Sequence, residues 1–153
     1  MGCKICFELA RYFSTIGQPP KLLFLMASPS PDSSGGWRIS QSNDEELSDG
    51  LKRLGGTPDN VMHSPKIMQT IMTILRADGE LLEAYQAAKT DIVDVDTVLV
   101  IAEDDSIVSV PSMLRWQQHL AADIKIHRVV GDHFFMLEQY QKLQVWLIEA
   151  LQK

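Results

Sequence analysis

Apolar residues recur along the chain with two periods, and the alternation between them predicts its elements. Over residues 2–16, Ile5, Leu9 and Phe13 stand at i, i+4 and i+8, the single stripe of an amphipathic helix. Gly17 supplies a stop, and Pro19-Pro20 bars continuation. Residues 21–28 (KLLFLMAS) then form a short continuous apolar run bounded by turn residues, the pattern of a strand buried on both faces of a parallel sheet. Residues 29–36 (PSPDSSGG) read as loop. The same strand character returns at 97–102 (TVLVIA) and 124–130 (IKIHRVV), each β-branched and each followed by acidic or glycine-containing turns. Helical periods fill residues 113–122, with Pro111-Ser112 as a start, and residues 134–151, where Leu137, Tyr140, Leu143, Leu147 and Leu151 lie on or near one face. The order helix, strand, insert, strand, helix, strand, helix predicts an α/β fold: a parallel sheet of about three strands with flanking helices and right-handed crossovers.

The insert over residues 42–89 carries no strand signal and at least two helices. Asn43 or Asp44 can cap the first, and Gly55-Gly56-Thr57-Pro58 ends it. The second runs from about Ser64 towards Tyr85, with Gly79 as a candidate break. Forty-odd residues between two strands exceed a bare connection and read as a helical lid. Arg76 and Asp78 are spaced for a weak surface ion pair within it.

Composition narrows the classes of function. With 45% hydrophobic residues in 153, the chain can bury a core. A net charge of -6 argues against nucleic acid or an anionic membrane as partner, since either calls for clustered Lys and Arg. No apolar run approaches the roughly 20 residues of a membrane span, and the first residues lack the order of a secretory signal, so the expected compartment is the cytoplasm. Both cysteines belong to Cys3-Lys-Ile-Cys6, the spacing of half a zinc site or a redox pair. His63, His119, His127 and His133 form no H-x3-5-H partner for it, which favours two small packed helix residues and no metal.

In a parallel sheet the chemistry gathers at the C-terminal ends of the strands. Three ends are visible: Ala27-Ser28-Pro29, the stretch from Glu103 to Val108, and Gly131-Asp132-His133-Phe134-Phe135. An acid at one end and a histidine at the next is the requirement of a hydrolase triad, in which a carboxylate orients an imidazole and stabilises its cation.

Five segments, Phe7-Glu8-Leu9-Ala10, Gly17-Gln18-Pro19-Pro20, Leu54-Gly55-Gly56-Thr57-Pro58, Leu75-Arg76-Ala77-Asp78 and Gly131-Asp132-His133-Phe134-Phe135, occur in that order in type II thioesterases. The chain resembles this family from Met1 nearly to its end. These enzymes serve nonribosomal peptide and polyketide synthases, and they are related to the fatty-acid thioesterase that releases medium chains. The resemblance implies one partial α/β-hydrolase domain over residues 1–153, with the lid at about 42–89.

The family's nucleophile elbow reads G-H-S-M-G, followed by small and apolar residues and F-E-L-A, and residues 1–10 are similar to the portion after the serine. No G-x-S-x-G occurs in the chain, and Ser28, in Ser-Pro, lacks the glycine-flanked turn of an elbow. The resemblance makes Asp105 the triad acid through its Asp-x-x-Val pattern, with Asp104 as rival, and His133 the general base. His127 is expected as a packed or edge residue of its strand, and His63 and His119 as lid or surface positions. The implied reaction hydrolyses an acyl thioester on the phosphopantetheine arm of an acyl or peptidyl carrier protein, with no cofactor, and the N–H of Met1 would be one oxyanion donor. Met62, Ile67, Met68, Ile71, Met72, Ile74 and Leu75 then either pack the lid or line an acyl tunnel. Without the serine the chain is expected to be inactive alone. A non-catalytic carrier or acyl-binding module, and another α/β-hydrolase esterase, remain as alternatives. Loss of the nucleophile strand would also leave residues 21–28 as an apolar sheet edge.

Overall fold

The computed structural model describes residues 1–33 and 38–152. Part of the loop expected over residues 29–36 therefore lies outside the described residues. Three parallel strands form the sheet in the order β1 (Leu23–Met26), β2 (Thr97–Ala102), β3 (Ile124–Val129). Leu23 pairs with Thr97 and Thr97 with Ile124, so the register runs straight across the three strand starts. Helices α1 (Gly2–Thr15), α5 (Val110–Leu114) and α6 (Tyr140–Leu151) flank the sheet. The insert holds α2 (Asp44–Leu54), α3 (Asp59–Met62) and α4 (Pro65–Ala84).

Every residue of β2 is buried, because the strand is covered on both faces. Leu99 and Ile101 point into one core with Phe7, Ala10, Leu23, Leu25, Met113 and Trp116. Val98, Val100 and Ala102 point into the other with Val129, Phe135 and Leu143. Burying one such aliphatic side chain contributes roughly 1.5–3 kcal/mol, so β2 anchors both layers. β1 is shorter than the run 21–28 predicts. The extended pairing stops at Met26, and Ala27 takes a left-handed φ of 48° that turns the chain away.

Helix α1 buries a different face from the one the spacing suggests. Phe7 and Ala10 are 0% and 1% exposed, whereas Ile5 and Leu9 remain 51% and 47% exposed, and Phe13 is exposed as well. Phe7 is chosen because it meets Trp116 edge-on, with ring centroids 5.7 Å apart. Cys3 shares that buried side and donates to the Met26 carbonyl at 3.2 Å, while Cys6 is exposed, so only one of the pair is packed. Lys4 is buried too. Its Nζ donates to the Ser33 carbonyl at 2.6 Å and lies over the Tyr85 ring, and burial pushes its ammonium pKa down.

In the insert, Asn43 caps α2 in a reciprocal capping box with Glu46. Helix α4 runs unbroken through Gly79, which is needed for space: a Cβ there would stand 2.8 Å from Cβ of Ile39. The short 3-10 turn Ile39–Gln41 packs on that spot, and Ser40 is held by both oxygens of Glu83, at 3.0 and 2.6 Å. Arg76 does not pair with Asp78; it reaches Asp44 at 2.8 Å and the Ser42 carbonyl at 2.9 Å. Two further boundaries differ from the sequence pattern. Ser109 starts α5 by accepting from the Ser112 N–H, and 3-10 geometry over Arg115–His119 replaces the rest of the expected helix. The last helix likewise begins as the 3-10 turn Phe135–Leu137 before α6.

Candidate active site

The ladder between β2 and β3 continues past the strands: Glu103 N–H donates to the Val129 carbonyl at 2.9 Å and Asp104 N–H to Gly131 at 3.2 Å. This zipping brings the two strand-end loops side by side. Asp105 and His133 sit on them, and Oδ2 of Asp105 lies 2.8 Å from Nδ1 of His133. The other oxygen, Oδ1, accepts the backbone N–H groups of Ile107 at 2.8 Å and Val108 at 2.9 Å. Three donors therefore fix the carboxylate, and its side chain is only 2% exposed. Burial alone would push the Asp105 carboxyl up. The hydrogen bonds from His133, Val108 and Ile107, with the His133 charge, outweigh it and hold the group below the usual carboxylate range.

Because a carboxylate only accepts, Nδ1 of His133 carries a proton, and a ring with Nε2 unprotonated offers that nitrogen as a lone-pair acceptor. The ring is 23% exposed, and no described residue hydrogen-bonds to Nε2. An imidazole oriented in this way can take a proton from a nucleophile and return it to a leaving group. The turn that presents it is built by Gly131, at a φ of 147° where a Cβ would come within 2.9 Å of Phe135, and by Asp132, whose Oδ1 accepts the Phe134 N–H at 2.8 Å. Phe134 stands edge-on to His133, with centroids 5.4 Å apart and planes at 90°.

The remaining candidates go elsewhere. Asp104 is exposed, and the carboxylate that meets His133 is that of Asp105. Ser28 is buried, and its Oγ donates to the Pro29 carbonyl. His127 stacks on Trp146, 3.9 Å between centroids and 9° from parallel, and His63 is exposed at the end of α3. His119 is fully buried, contrary to a lid or surface position. Its Nδ1 lies 2.8 Å from the Asp91 carbonyl and its Nε2 3.6 Å from Asp32. Asp32 also accepts short hydrogen bonds from Ser30 and Arg115, forming a polar knot between the loop after β1 and the loop after α5. Burial would raise the Asp32 carboxyl, but Ser30, Arg115 and His119 together hold it below its usual range. Nothing local in the sequence marks this knot, since Asp32 and Arg115 are far apart along the chain. Phe134 was legible only as part of its motif, without a role of its own.

A family model described as Thioesterase domain matches residues 1–152. The chain belongs to the thioesterase domain family. Among curated members it is 29% identical, over 99% of its length, to linear gramicidin dehydrogenase LgrE of Brevibacillus parabrevis. It is 23% identical, again over 99%, to the probable cadicidin biosynthesis thioesterase of Streptomyces griseus. The chain spans 60% and 42% of the lengths of these two relatives. In three dimensions it is similar to YbtT, a type II thioesterase from the yersiniabactin pathway, with a TM-score of 0.88 at 20% identity, covering 98% of this chain and 61% of that one. This likeness places the three-stranded sheet and its helices in the α/β-hydrolase fold of the thioesterase structures.

Proposed function

We propose that this thioesterase-family chain carries the base and acid of an enzyme that hydrolyses acyl thioesters on carrier proteins of a biosynthetic synthase. The observation that carries the reading is the 2.8 Å contact between Asp105 and His133 at adjacent strand ends. His133 Nε2 is the general base. It takes the proton of a serine hydroxyl as the oxygen attacks the thioester carbonyl, and it returns that proton to the departing phosphopantetheine thiol. Water, deprotonated by the same nitrogen, then releases the acid from the acyl enzyme. Asp105 keeps the proton on Nδ1 and stabilises the imidazolium in both halves. This cycle needs no cofactor beyond the substrate's own pantetheine arm. Residues 1–153 read as one part of an α/β-hydrolase domain, with residues 42–89 as its lid. Among the described residues no helix is long and apolar enough to cross a membrane. The proposed partner is an acyl or peptidyl carrier protein, and the proposed compartment the cytoplasm.

No G-x-S-x-G lies within the 153 residues, and the proposed cycle takes its serine from outside them. The test joins the chain to the residues encoded in frame upstream of Met1 and measures thiol release from an acyl-pantetheine thioester. A Gly-His-Ser elbow and turnover are expected, with Asp105→Asn lowering kcat about 10^4-fold and His133→Gln about 10^6-fold. Turnover that survives His133→Gln would overturn the assignment. The absent elbow favours one other reading, a non-catalytic module for a carrier or acyl chain. It prevails if the upstream frame encodes no elbow and the pure chain still binds acyl-carrier protein.

A further inference from the structure

The Gly55-Gly56 turn ends α2 with two successive residues in the left-handed region, at φ of 71° and 74°. The two glycines share this backbone demand but differ in surroundings. Gly55 has open space where a Cβ would stand. At Gly56 a Cβ would fall 2.7 to 2.9 Å from three ring atoms of Phe134, so the bare backbone lies close against that ring. The same ring makes the edge-on contact with His133. Phe134 has little backbone freedom to yield, because its N–H is held by Asp132 and its carbonyl by the Leu137 N–H at 2.9 Å.

We propose that Gly56 is a positioning residue for His133, acting through the Phe134 ring, so that the insert supports the imidazole that faces Asp105. The inference rests on His133 being the base of the proposed reaction, but its geometry stands apart from turnover. A ring that packs on the Gly56 backbone and meets the imidazole at 90° supports the orientation in which Nδ1 meets Asp105. A side chain at position 56 displaces the ring, and the ring displaces the imidazole. Both the lack of a Cβ and the aromatic edge are therefore required, and the positive φ alone is not.

The test follows the Nδ1–H proton of His133 by NMR in the full isotope-labelled chain, assigned by its loss in His133→Gln. Gly56→Ala should move this signal and speed its exchange with solvent about three- to tenfold, the worth of one edge-on aromatic contact. Gly55→Ala, which carries positive-φ strain into open space, should leave the signal in place. Phe134→Leu keeps the glycine turn and should also move it, and adding Gly56→Ala to Phe134→Leu should change nothing further. Equal effects of the two glycine variants would overturn the proposal, as would additivity in the double variant. Should Gly56→Ala fail to fold, an unmoved signal in Phe134→Leu overturns it alone. None of these readouts involves hydrolysis. A failed activity assay with the coupling intact would refute the enzymatic reading only, and the converse result would refute the positioning role only.

Discussion

Every acceptor position that Asp105 uses is occupied: two backbone N–H groups on one oxygen and the imidazole on the other. Asp105→Asn can keep its amide oxygen on the two backbone N–H groups, but its NH2 then faces Nδ1 and forces the imidazole into the other tautomer, with the proton on Nε2. The charged form is the favoured one in the folded chain, with a carboxyl pKa held below the ordinary value of about 4. Its contribution to stability is complete above the unfolded value and disappears as pH falls through the lower folded value. In urea titrations the stability gap between wild type and Asp105→Asn should be widest near neutrality and close in acid. A gap independent of pH would contradict the assignment. The strand ends pointed to an acidic stretch and to His133, and only the family resemblance, through its Asp-x-x-Val pattern, singled out Asp105 over Asp104. The knot of Ser30, Asp32, Arg115 and His119 was not legible, because burial of polar groups is decided by partners that only tertiary packing brings together.

Elements were legible wherever their reason is local. A cap at Asn43 or Asp44 was readable, of which the structure uses Asn43 in a capping box with Glu46, and the six residues of β2 follow directly from apolar content. The 3-10 turns at Arg115–His119 and Phe135–Leu137 did not, since they are set by the fully buried Trp116 and Phe135 that they deliver to the two cores. Helix α1 is the clearest case of ambiguity: it has two apolar stripes, and only packing selects Phe7 and Ala10 over Ile5 and Leu9. The unchosen stripe, with Tyr12, lines a groove of about 550 Å³ shared with Leu81, Leu82 and Tyr85. β1 pairs with β2 alone among the described residues, so its other edge offers unpaired backbone groups close to α1. The chain should therefore self-associate when purified, eluting from size exclusion ahead of a 17.2 kDa species. Ile5→Lys combined with Leu9→Lys should shift it towards the monomer. A wild-type chain that stays monomeric into the submillimolar range would rule this out.

At the scale of the whole molecule, the sheet is the frame and β2 its middle member, shared by two apolar layers. The register imposes very different spans on its two pairings. Joining β2 to β3 closes a loop of about 27 residues, whereas joining β1 to β2 encloses the entire insert in one of about 74, an added closure cost of roughly 0.9 kcal/mol. Local pairings are favoured first in time as well. In refolding with pulsed hydrogen exchange, amides of β2 and β3 should gain protection before those of β1, and simultaneous protection of all three strands would refute this order. While β1 waits, the strand-end loops bearing Asp105 and His133 are already zipped together. The Asp105–His133 pair is thus assembled on the early-forming half of the sheet, ahead of β1.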